Sequence, residues 1–348
     1  MAPRCGTPPE APLRLGVVGA GSLGFHHLRI ARELERVDLA GFYEILPERA
    51  AEVSRALGVR ACASYRALLD GIDALIVATP TRTHAEVAAA ALARGIHAFI
   101  EKPIAATLGE ADRILAAAAE AGVTVQVGHV ERFNTAVLGA RPYLETPLFI
   151  ESHRLAQFTE RGSDVAVVLD LMIHDVDLVA SLVGAPVEEI QATGIPVLTD
   201  SVDIANARIR FRGGAVANLT ASRVSADRMR KLRIFQRSGY LSLDLAAGKG
   251  EFLRLKRELP ALARPGAVPA ADGAPAGERP ADLAALVERI PLGAEPVEPL
   301  RRELESFRDA VLGGTPPVVG GGEGRDALAT ALAIEERIMT HVAHTRTP

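Results

Sequence analysis

The first part of the chain alternates short apolar runs with amphipathic runs, from residue 13 to about residue 146. Runs such as "LRLGVVG", "DALIVATP" and "HAFIEKP" have the length of strands, whereas runs such as "THAEVAAAALARG" have the period of helices. Strands that alternate with helices form a parallel sheet, because each parallel connection needs a crossover. The sequence therefore predicts a doubly wound α/β domain over residues 13–146.

The pattern changes at about residue 147. A helix at roughly 164–183 is followed by successive strand-like runs, including "VDIANARIRF", "AVANLTASRV" and "GYLSLDL". Strands in succession with short turns indicate a mostly antiparallel sheet. Two helical runs end the chain, and they can pack back on the first domain. The sequence predicts a second, α+β domain over 147–348.

Two segments lack these patterns. Residues 1–12 are rich in proline and contain no apolar signal core, which predicts a disordered leader. Residues 258–281 are rich in Pro, Ala and Gly, which predicts a flexible excursion within the second domain.

Composition excludes several classes of protein. No run of about 18 apolar residues is present, so no membrane span is predicted. The net charge of -4 argues against general nucleic-acid binding. The only two cysteines, Cys5 and Cys62, do not make a disulfide framework, which fits a cytoplasmic protein.

The motif "GAGSLG" follows the first strand and opens the first helix, which is the context of a dinucleotide-binding Rossmann turn. Gly19 allows the tight turn, Gly21 lets a pyrophosphate approach the backbone, and Gly24 lets helix and strand pack closely. Ser22 and Leu23 begin the helix whose N-terminus faces the phosphates.

A carboxylate follows the second strand. Glu44 lies 20 residues after Gly24, where an acidic side chain can accept hydrogen bonds from the adenosine ribose. A carboxylate repels a 2′-phosphate, so the sequence favours NAD over NADP. Arg49 lies close by in sequence and keeps the NADP interpretation open.

Two further polar stretches fall at the carboxyl ends of strands, where doubly wound sheets bind ligands. The first, "ATPTRTH", contributes Thr79, Pro80 and His84, and the second, "EKP", contributes Glu101 and Lys102. We predict that both stretches contact the cofactor. The Lys102 ammonium can also stabilise a developing oxyanion. The alternative is that Lys102 only neutralises Glu101 in a buried turn.

The segment "VVLDLMIHDVDLV" places Asp170, His174 and Asp177 at helical spacings of four and three residues. On an α-helix these three side chains share one face. A histidine between two carboxylates has a raised proton affinity, which suits it to take a proton. A structural histidine is the alternative. A metal site is not predicted, because no further His/Cys cluster completes one.

Together these motifs resemble the glucose–fructose oxidoreductase / inositol dehydrogenase / MocA (Gfo/Idh/MocA) family over residues 13 to 345. The resemblance implies a catalytic pair, Lys102 of "EKP" and His174 of "DLMIH", supported by Asp170. It implies a cis Lys102–Pro103 peptide bond. It also implies a second domain with an open sheet that often packs against another subunit, so a homodimer or homotetramer is expected. Two departures from many members are Glu44 in place of Asp, and Ile173 where a glycine precedes the histidine.

Within this family, "VGHVERFNTAV" and "LTASRVS" are most similar to the UDP-N-acetylglucosamine 3-dehydrogenases, some of which serve lipid A biosynthesis. The resemblance places Arg132 and Asn134 near the sugar. Asp177 and Arg223 are predicted as further substrate contacts, Arg223 as part of a cluster of basic residues. A basic segment, 208–257, also fits a diphosphate substrate, because Arg is its favoured partner. A solvated or intersubunit sheet face is the alternative for that segment.

The expected activity is therefore NAD-dependent oxidation of a sugar hydroxyl to a ketone. Two alternatives remain open. One is a free sugar, an inositol or a sugar acid as substrate. The other is a non-catalytic NAD-binding regulator, which would be expected to lack the Lys102 and His174 pair that this chain retains.

Overall fold

The computed structural model describes residues 11–159, 165–256 and 287–345, which form two compact units. The first unit comprises Met1–Phe133, Val168–Leu178 and Val297–Glu336, and the second comprises the remainder of the chain. The predicted flexible segment 258–281 and residues 1–10 of the predicted leader lie outside the described residues. The domain limits 13–146 and 147–348 stay a prediction.

The first unit contains a five-stranded parallel sheet with strand order β2-β1-β3-β4-β5. Its strands are β1 (Leu13–Val18), β2 (Val37–Tyr43), β3 (Ala74–Val77), β4 (His97–Glu101) and β5 (Val125–Gly128). Its first helices are α1 (Ser22–Ala31), α2 (Pro47–Leu57), α3 (Tyr65–Leu69), α4 (His84–Leu92) and α5 (Leu108–Ala121). The predicted doubly wound Rossmann fold is confirmed.

Local sequence signals set the ends of these helices. Thr107 and Glu110 form a capping box at the start of α5, and Gly122 ends that helix in the left-handed conformation. Pro47 occupies the first turn of α2, where its missing N–H costs nothing, and Gly58 ends the helix in the same left-handed way.

The second unit contains an eight-stranded sheet with strand order β13-β12-β11-β10-β6-β9-β8-β7. Its strands are β6 (Phe149–Leu155), β7 (Val187–Ile195), β8 (Ile204–Phe211), β9 (Val216–Ser222), β10 (Met229–Gln236), β11 (Gly239–Asp244), β12 (Lys249–Leu255) and β13 (Val287–Leu292). All adjacent pairs are antiparallel except β6 and β9, which run parallel. The predicted mostly antiparallel sheet is confirmed.

The remaining helices are α6 (Thr135–Ala140), α7 (Ile173–Val183), α8 (Pro299–Gly313) and α9 (Gly321–Thr345). Phe307 of α8 lies in the core of the first unit, where its ring packs 5.8 Å from that of Phe99 on β4. In the part of the chain that the structure describes, no helix combines the length and apolar character needed to cross a membrane.

Candidate active site

The glycine turn after β1 leaves no room for a side chain at two of its three glycines. Gly19 has a φ of 91°, and a Cβ there would lie 2.5 Å from the carbonyl oxygen of Ala78. A Cβ on Gly24 would overlap the carbonyl oxygen of Gly19. A Cβ on Gly21, in contrast, would meet nothing within 4 Å. The turn is therefore tight against the fold at Gly19 and Gly24 and open at Gly21, as a pyrophosphate cradle requires.

Helix α1 begins at Ser22 directly after this turn and has no side-chain cap at its N-cap residue, Gly21. Ser22 and Leu23 are both exposed at this end. The first N–H groups of a helix need partners, and an anion can supply them. The residues here fit a dinucleotide phosphate.

Glu44 lies against the glycine turn. Its Oε2 accepts a 2.7 Å hydrogen bond from the Ala20 amide, and its Oε1 accepts one of 3.1 Å from the Leu46 amide. The carboxylate is thus fixed just after β2, beside the turn, and ribose binding by Glu44 stays a prediction. The longer arm of Glu, compared with Asp, allows this reach to Ala20.

The ring of His84 links the ends of two strands. Its Nδ1 lies 2.9 Å from the Pro103 carbonyl and its Nε2 lies 2.8 Å from the Thr79 carbonyl. Burial lowers the pKa of this histidine despite both contacts. His84 therefore holds together the stretches after β3 and β4, and cofactor contacts by His84, Thr79 and Pro80 stay a prediction.

Glu101 is buried at the end of β4 and bonds to a residue on α1. His27 Nε2 donates to Glu101 Oε1 across 2.6 Å, and the Lys102 amide donates to Oε2 across 3.2 Å. Burial opposes ionisation of Glu101, but the His27 bond and the Lys102 charge outweigh it, so the pKa of Glu101 lies below its ordinary value. Glu101 thus links β4 to α1, the helix of the glycine motif. The predicted contact of Glu101 with the cofactor stays a prediction.

Lys102 reaches the segment that leads to His174. Its Nζ donates a 2.7 Å hydrogen bond to the backbone oxygen of Asp170 and lies 3.7 Å from Asp170 Oδ1. The side chain of Lys102 is only 14% exposed. The Lys102–Pro103 peptide bond is cis, as predicted. The predicted alternative, a lysine that serves only to neutralise Glu101, does not account for the bond to Asp170.

The segment around Asp170 is not the α-helix that the spacing predicts. Residues Val168–Met172 form a π-helical turn, and α7 begins only at Ile173. Because a π turn bonds i to i+5, the spacing of four residues between Asp170 and His174 is not an α-helical one. The predicted shared face of Asp170 and His174 stays a prediction. His174 and Asp177, both within α7, keep their helical spacing.

Asp177 is buried and belongs to an ion pair. Its two oxygens accept hydrogen bonds of 2.7 and 2.8 Å from Nε and Nη2 of Arg132, a bidentate arrangement. Its Oδ2 also lies 4.0 Å from Nδ1 of His129, whose ring packs edge to face against that of His174 at 6.5 Å. The structure thus brings Arg132, Asp177 and His129 together beside His174. Their roles toward a substrate stay a prediction.

Two other predicted substrate residues lie in the second unit and make structural contacts there. Asn134 caps α6, accepting from the Ala136 amide at 3.0 Å, and donates to the Leu245 carbonyl at 2.9 Å. Arg223 is buried, lies 3.8 Å from Asp203 through its Nε, and donates to the Val165 carbonyl. Substrate binding by either residue stays a prediction.

The basic residues of the segment 208–257 do not all lie in the same environment. Lys231 and Arg233 alternate with the buried Leu232 and Ile234 on β10, so they lie on the outer face of the sheet. Arg233 pairs there with Glu151 at 3.7 Å. This pattern favours the alternative of a solvated or intersubunit face for these two residues over a diphosphate site.

Sequence reasoning missed the fully buried ionisable side chains of the first unit, which belong to His27, His129 and Glu303. His27 lies three residues after Gly24, on the inner side of α1, so helical spacing could have indicated its burial. His129 directly follows β5, and no motif marks it. No pattern in the sequence marks Glu303 within the polar run "RRELE".

Glu303 on α8 carries a buried carboxyl group whose oxygens have no hydrogen-bond partner among the described residues. Burial, together with the charges of Glu101, Asp177 and Glu131, raises its pKa well above the ordinary value. Its backbone oxygen accepts a 2.9 Å hydrogen bond from Gln126 of β5, which fixes this turn of α8. Burial therefore favours the neutral carboxylic acid form of Glu303 in the folded protein.

We expect Glu303→Gln to stabilise the protein increasingly as pH rises. A raised pKa in the folded state means that the folded chain binds more protons than the unfolded chain, so wild-type stability falls above the unfolded pKa of about 4.3. Gln cannot ionise, and the gain grows by at most about 1.4 kcal/mol per pH unit. Thermal melts from pH 5 to 8.5 measure it, with Glu305→Gln on the same helix as control. A gain that does not change with pH would contradict the assignment.

The described residues contain no group of three or more His, Cys, Asp or Glu side chains placed to hold a metal ion.

Comparison with known proteins identifies the family. Residues 13–129 match the model described as "Oxidoreductase family, NAD-binding Rossmann fold", and residues 119–242 match the GFO/IDH/MocA C-terminal domain. The chain belongs to the Gfo/Idh/MocA family of oxidoreductases, as its motifs indicated. NAD is the cofactor that its Rossmann domain is built to bind.

Individual relatives are also similar over long stretches. The UDP-N-acetylglucosamine 3-dehydrogenase of Acidithiobacillus ferrooxidans is 36% identical over 324 residues, 92% of this chain and 96% of the relative. A solved structure of that enzyme has a TM-score of 0.81 and 33% identity, covering 94% of this chain and 98% of its own. The scyllo-inositol 2-dehydrogenase of Bacillus subtilis is 30% identical over 62% of this chain and 69% of its own length.

Proposed function

We propose that this protein is an NAD-dependent dehydrogenase that oxidises the 3-hydroxyl of UDP-N-acetylglucosamine to a ketone. The observation that carries the proposal is the 2.7 Å bond from Lys102 Nζ to Asp170. It joins the lysine at the end of β4 to the turn that leads into the helix of His174. The similarity to the A. ferrooxidans enzyme supports the choice of substrate.

His174 and Lys102 have separate roles in removing the proton from the substrate hydroxyl. A ring nitrogen of His174 takes the hydroxyl proton, while the Lys102 ammonium holds the oxygen and stabilises the charge that develops on it. Asp170 fixes the lysine through its backbone oxygen, and the ring of His129 packs against that of His174. The bound NAD supplies the hydride acceptor. The protein aligns the groups and holds the proton.

An assay of NADH formation tests the substrate. We expect turnover with NAD and UDP-N-acetylglucosamine at a kcat/KM at least about 100-fold above that with myo-inositol or free N-acetylglucosamine, a difference of about 2.7 kcal/mol. Comparable rates with an inositol would favour the second candidate, which the B. subtilis relative supports. Binding of NAD without turnover of any sugar would favour a regulator.

The proposed activity also implies a place in metabolism and a location in the cell. A keto product of this kind is a substrate for an aminotransferase, which would place the enzyme in amino-sugar synthesis, including that for lipid A. A cytoplasmic location follows from the use of NAD and a nucleotide sugar. Lipid A composition in a strain that lacks the gene, and fractionation of the cell, test these two statements.

The outer face of the eight-stranded sheet supports a homodimer or homotetramer. Three aromatic residues are register neighbours on β6, β10 and β11, namely Phe149, Phe235 and Tyr240. The ring centroids of Phe149 and Phe235 lie 5.8 Å apart, and those of Phe235 and Tyr240 lie 5.2 Å apart. They alternate with buried residues of the same strands, so this half-buried aromatic row lies on the outer face. Sedimentation velocity tests the assembly, and a monomer at micromolar concentration would contradict it.

A further inference from the structure

In the sequence, Arg49 left the choice between NAD and NADP open. In the structure, its guanidinium already contacts other groups of this chain. Its Nε donates a 2.9 Å hydrogen bond to the Ala20 carbonyl, in the middle of the glycine turn. Its Nη1 lies 2.8 Å from Glu52 Oε1, one helical turn further along α2. Its guanidinium carbon lies 5.6 Å from the centre of the Phe25 ring. The side chain is only 28% exposed.

Ala20 is held on both sides by residues that follow β2. Glu44 Oε2 accepts from its amide at 2.7 Å, and Arg49 donates to its carbonyl. Ala20 itself is fully buried, and the Gly19 amide bonds to the Tyr43 carbonyl at 2.8 Å. The three bonds fix the backbone between Gly19 and Gly21, the part of the turn that a pyrophosphate has to meet. A binding loop that is already ordered loses less entropy when its ligand binds.

We infer that Arg49 is a positioning residue of the dinucleotide turn, and that Glu52 keeps its guanidinium from acting as a 2′-phosphate receptor. The Glu44–Ala20–Arg49 clamp holds the turn in its binding shape for either dinucleotide. The Glu52 carboxylate and Glu44 both oppose a second phosphate at this place. The inference rests on the proposed use of NAD by this chain.

The two possible roles of Arg49 predict different binding patterns. A positioning residue serves NAD and NADP alike, because both dinucleotides meet the same turn. A phosphate receptor serves NADP alone. Since Met has an unbranched stem that keeps contact with Phe25 but no N–H donor, Arg49→Met separates these roles.

Calorimetric titration of the purified full chain with NAD and with NADP measures the effect, and the method suits a chain that has no tryptophan. We expect wild type to bind NAD at least about tenfold more tightly than NADP. Arg49→Met should weaken both dinucleotides by about the same factor, roughly tenfold, as the loss of one charge-assisted hydrogen bond predicts. Loss of NADP affinity alone would overturn the inference.

Two further variants complete the test. Arg55→Met removes an arginine of the same helix whose Nε bonds only one turn back, to the Ala51 carbonyl at 3.2 Å, and it should leave both affinities unchanged. Glu52→Gln should strengthen NADP by about threefold and leave NAD unchanged, because one opposing charge is removed near an exposed site. An unchanged ratio in Glu52→Gln would overturn the role of Glu52. Failure of wild type to bind NAD would instead contradict the proposed function itself.

Discussion

Replacing His174 with Asn is expected to lower kcat for NADH formation by about 10²–10⁴-fold, the usual contribution of general acid–base catalysis. Asn keeps a polar group on α7 but cannot take the hydroxyl proton. Lys102→Ala should lower kcat to a comparable extent, because the oxygen of the substrate loses its charged partner. Neither residue belongs to the glycine turn, so NAD affinity should stay within about twofold in both variants.

The double variant distinguishes a working pair from two independent residues. If Lys102 and His174 act on the same oxygen and its proton, the loss in the double variant should be far smaller than the product of the single losses. His153→Asn, at an exposed position on the outer face of the second unit, is the matched control and should keep wild-type turnover. Retention of most turnover by His174→Asn would mean that the base lies elsewhere and that His174 is structural.

The elements of the first unit could be predicted from the sequence because their signals are local. Four consecutive buried residues make up β3, and the helix ends carry Thr107, Glu110, Gly58 and Gly122 at the positions that capping requires. Each of these features acts within a few residues. Alternation of apolar runs with helical periods therefore sufficed to locate the five strands and the helices between them along the chain.

Three strands of the second unit escaped prediction for a physical reason. Strands β7 and β13 lie at the two edges of the sheet, so most of their residues are exposed or half-buried and no apolar alternation marks them. Strand β6 lies inside the sheet, but it turns Ser152 and Arg154 toward the buried side. Its alternation is real, yet polar residues carry it.

The candidate site was predictable at its motifs but not in its connections. The glycine pattern, "EKP" and His174 carry chemistry that the sequence displays. The His27–Glu101 bond and the Arg132–Asp177 pair join residues that are 74 and 45 positions apart in the sequence. The π turn at Asp170 depends on backbone geometry. No periodicity encodes such contacts.

Two alanine substitutions in the glycine turn should have opposite consequences. Gly24→Ala should destabilise the fold, because its Cβ would overlap the Gly19 carbonyl oxygen and lie 2.7 Å from the carbonyl carbon. Neither atom can move away without shifting the backbone of the turn. We expect a loss of about 3 kcal/mol in unfolding free energy, at the upper end of the range for overpacking. A melting temperature within about 1 °C of wild type would contradict this packing.

Gly21→Ala should instead fold normally and fail to bind the dinucleotide. Its φ of -61° lies on the negative side that non-glycine residues occupy, and its Cβ would meet nothing within 4 Å. The same Cβ would project where the pyrophosphate approaches the backbone, so NAD affinity should fall by at least about 100-fold, or about 2.7 kcal/mol. Gly109→Ala, near the start of α5, is the control and should change neither stability nor binding by much. If Gly21→Ala bound NAD as tightly as Gly109→Ala does, the pyrophosphate would have to lie elsewhere, and the open side of this turn would not be the cofactor cradle.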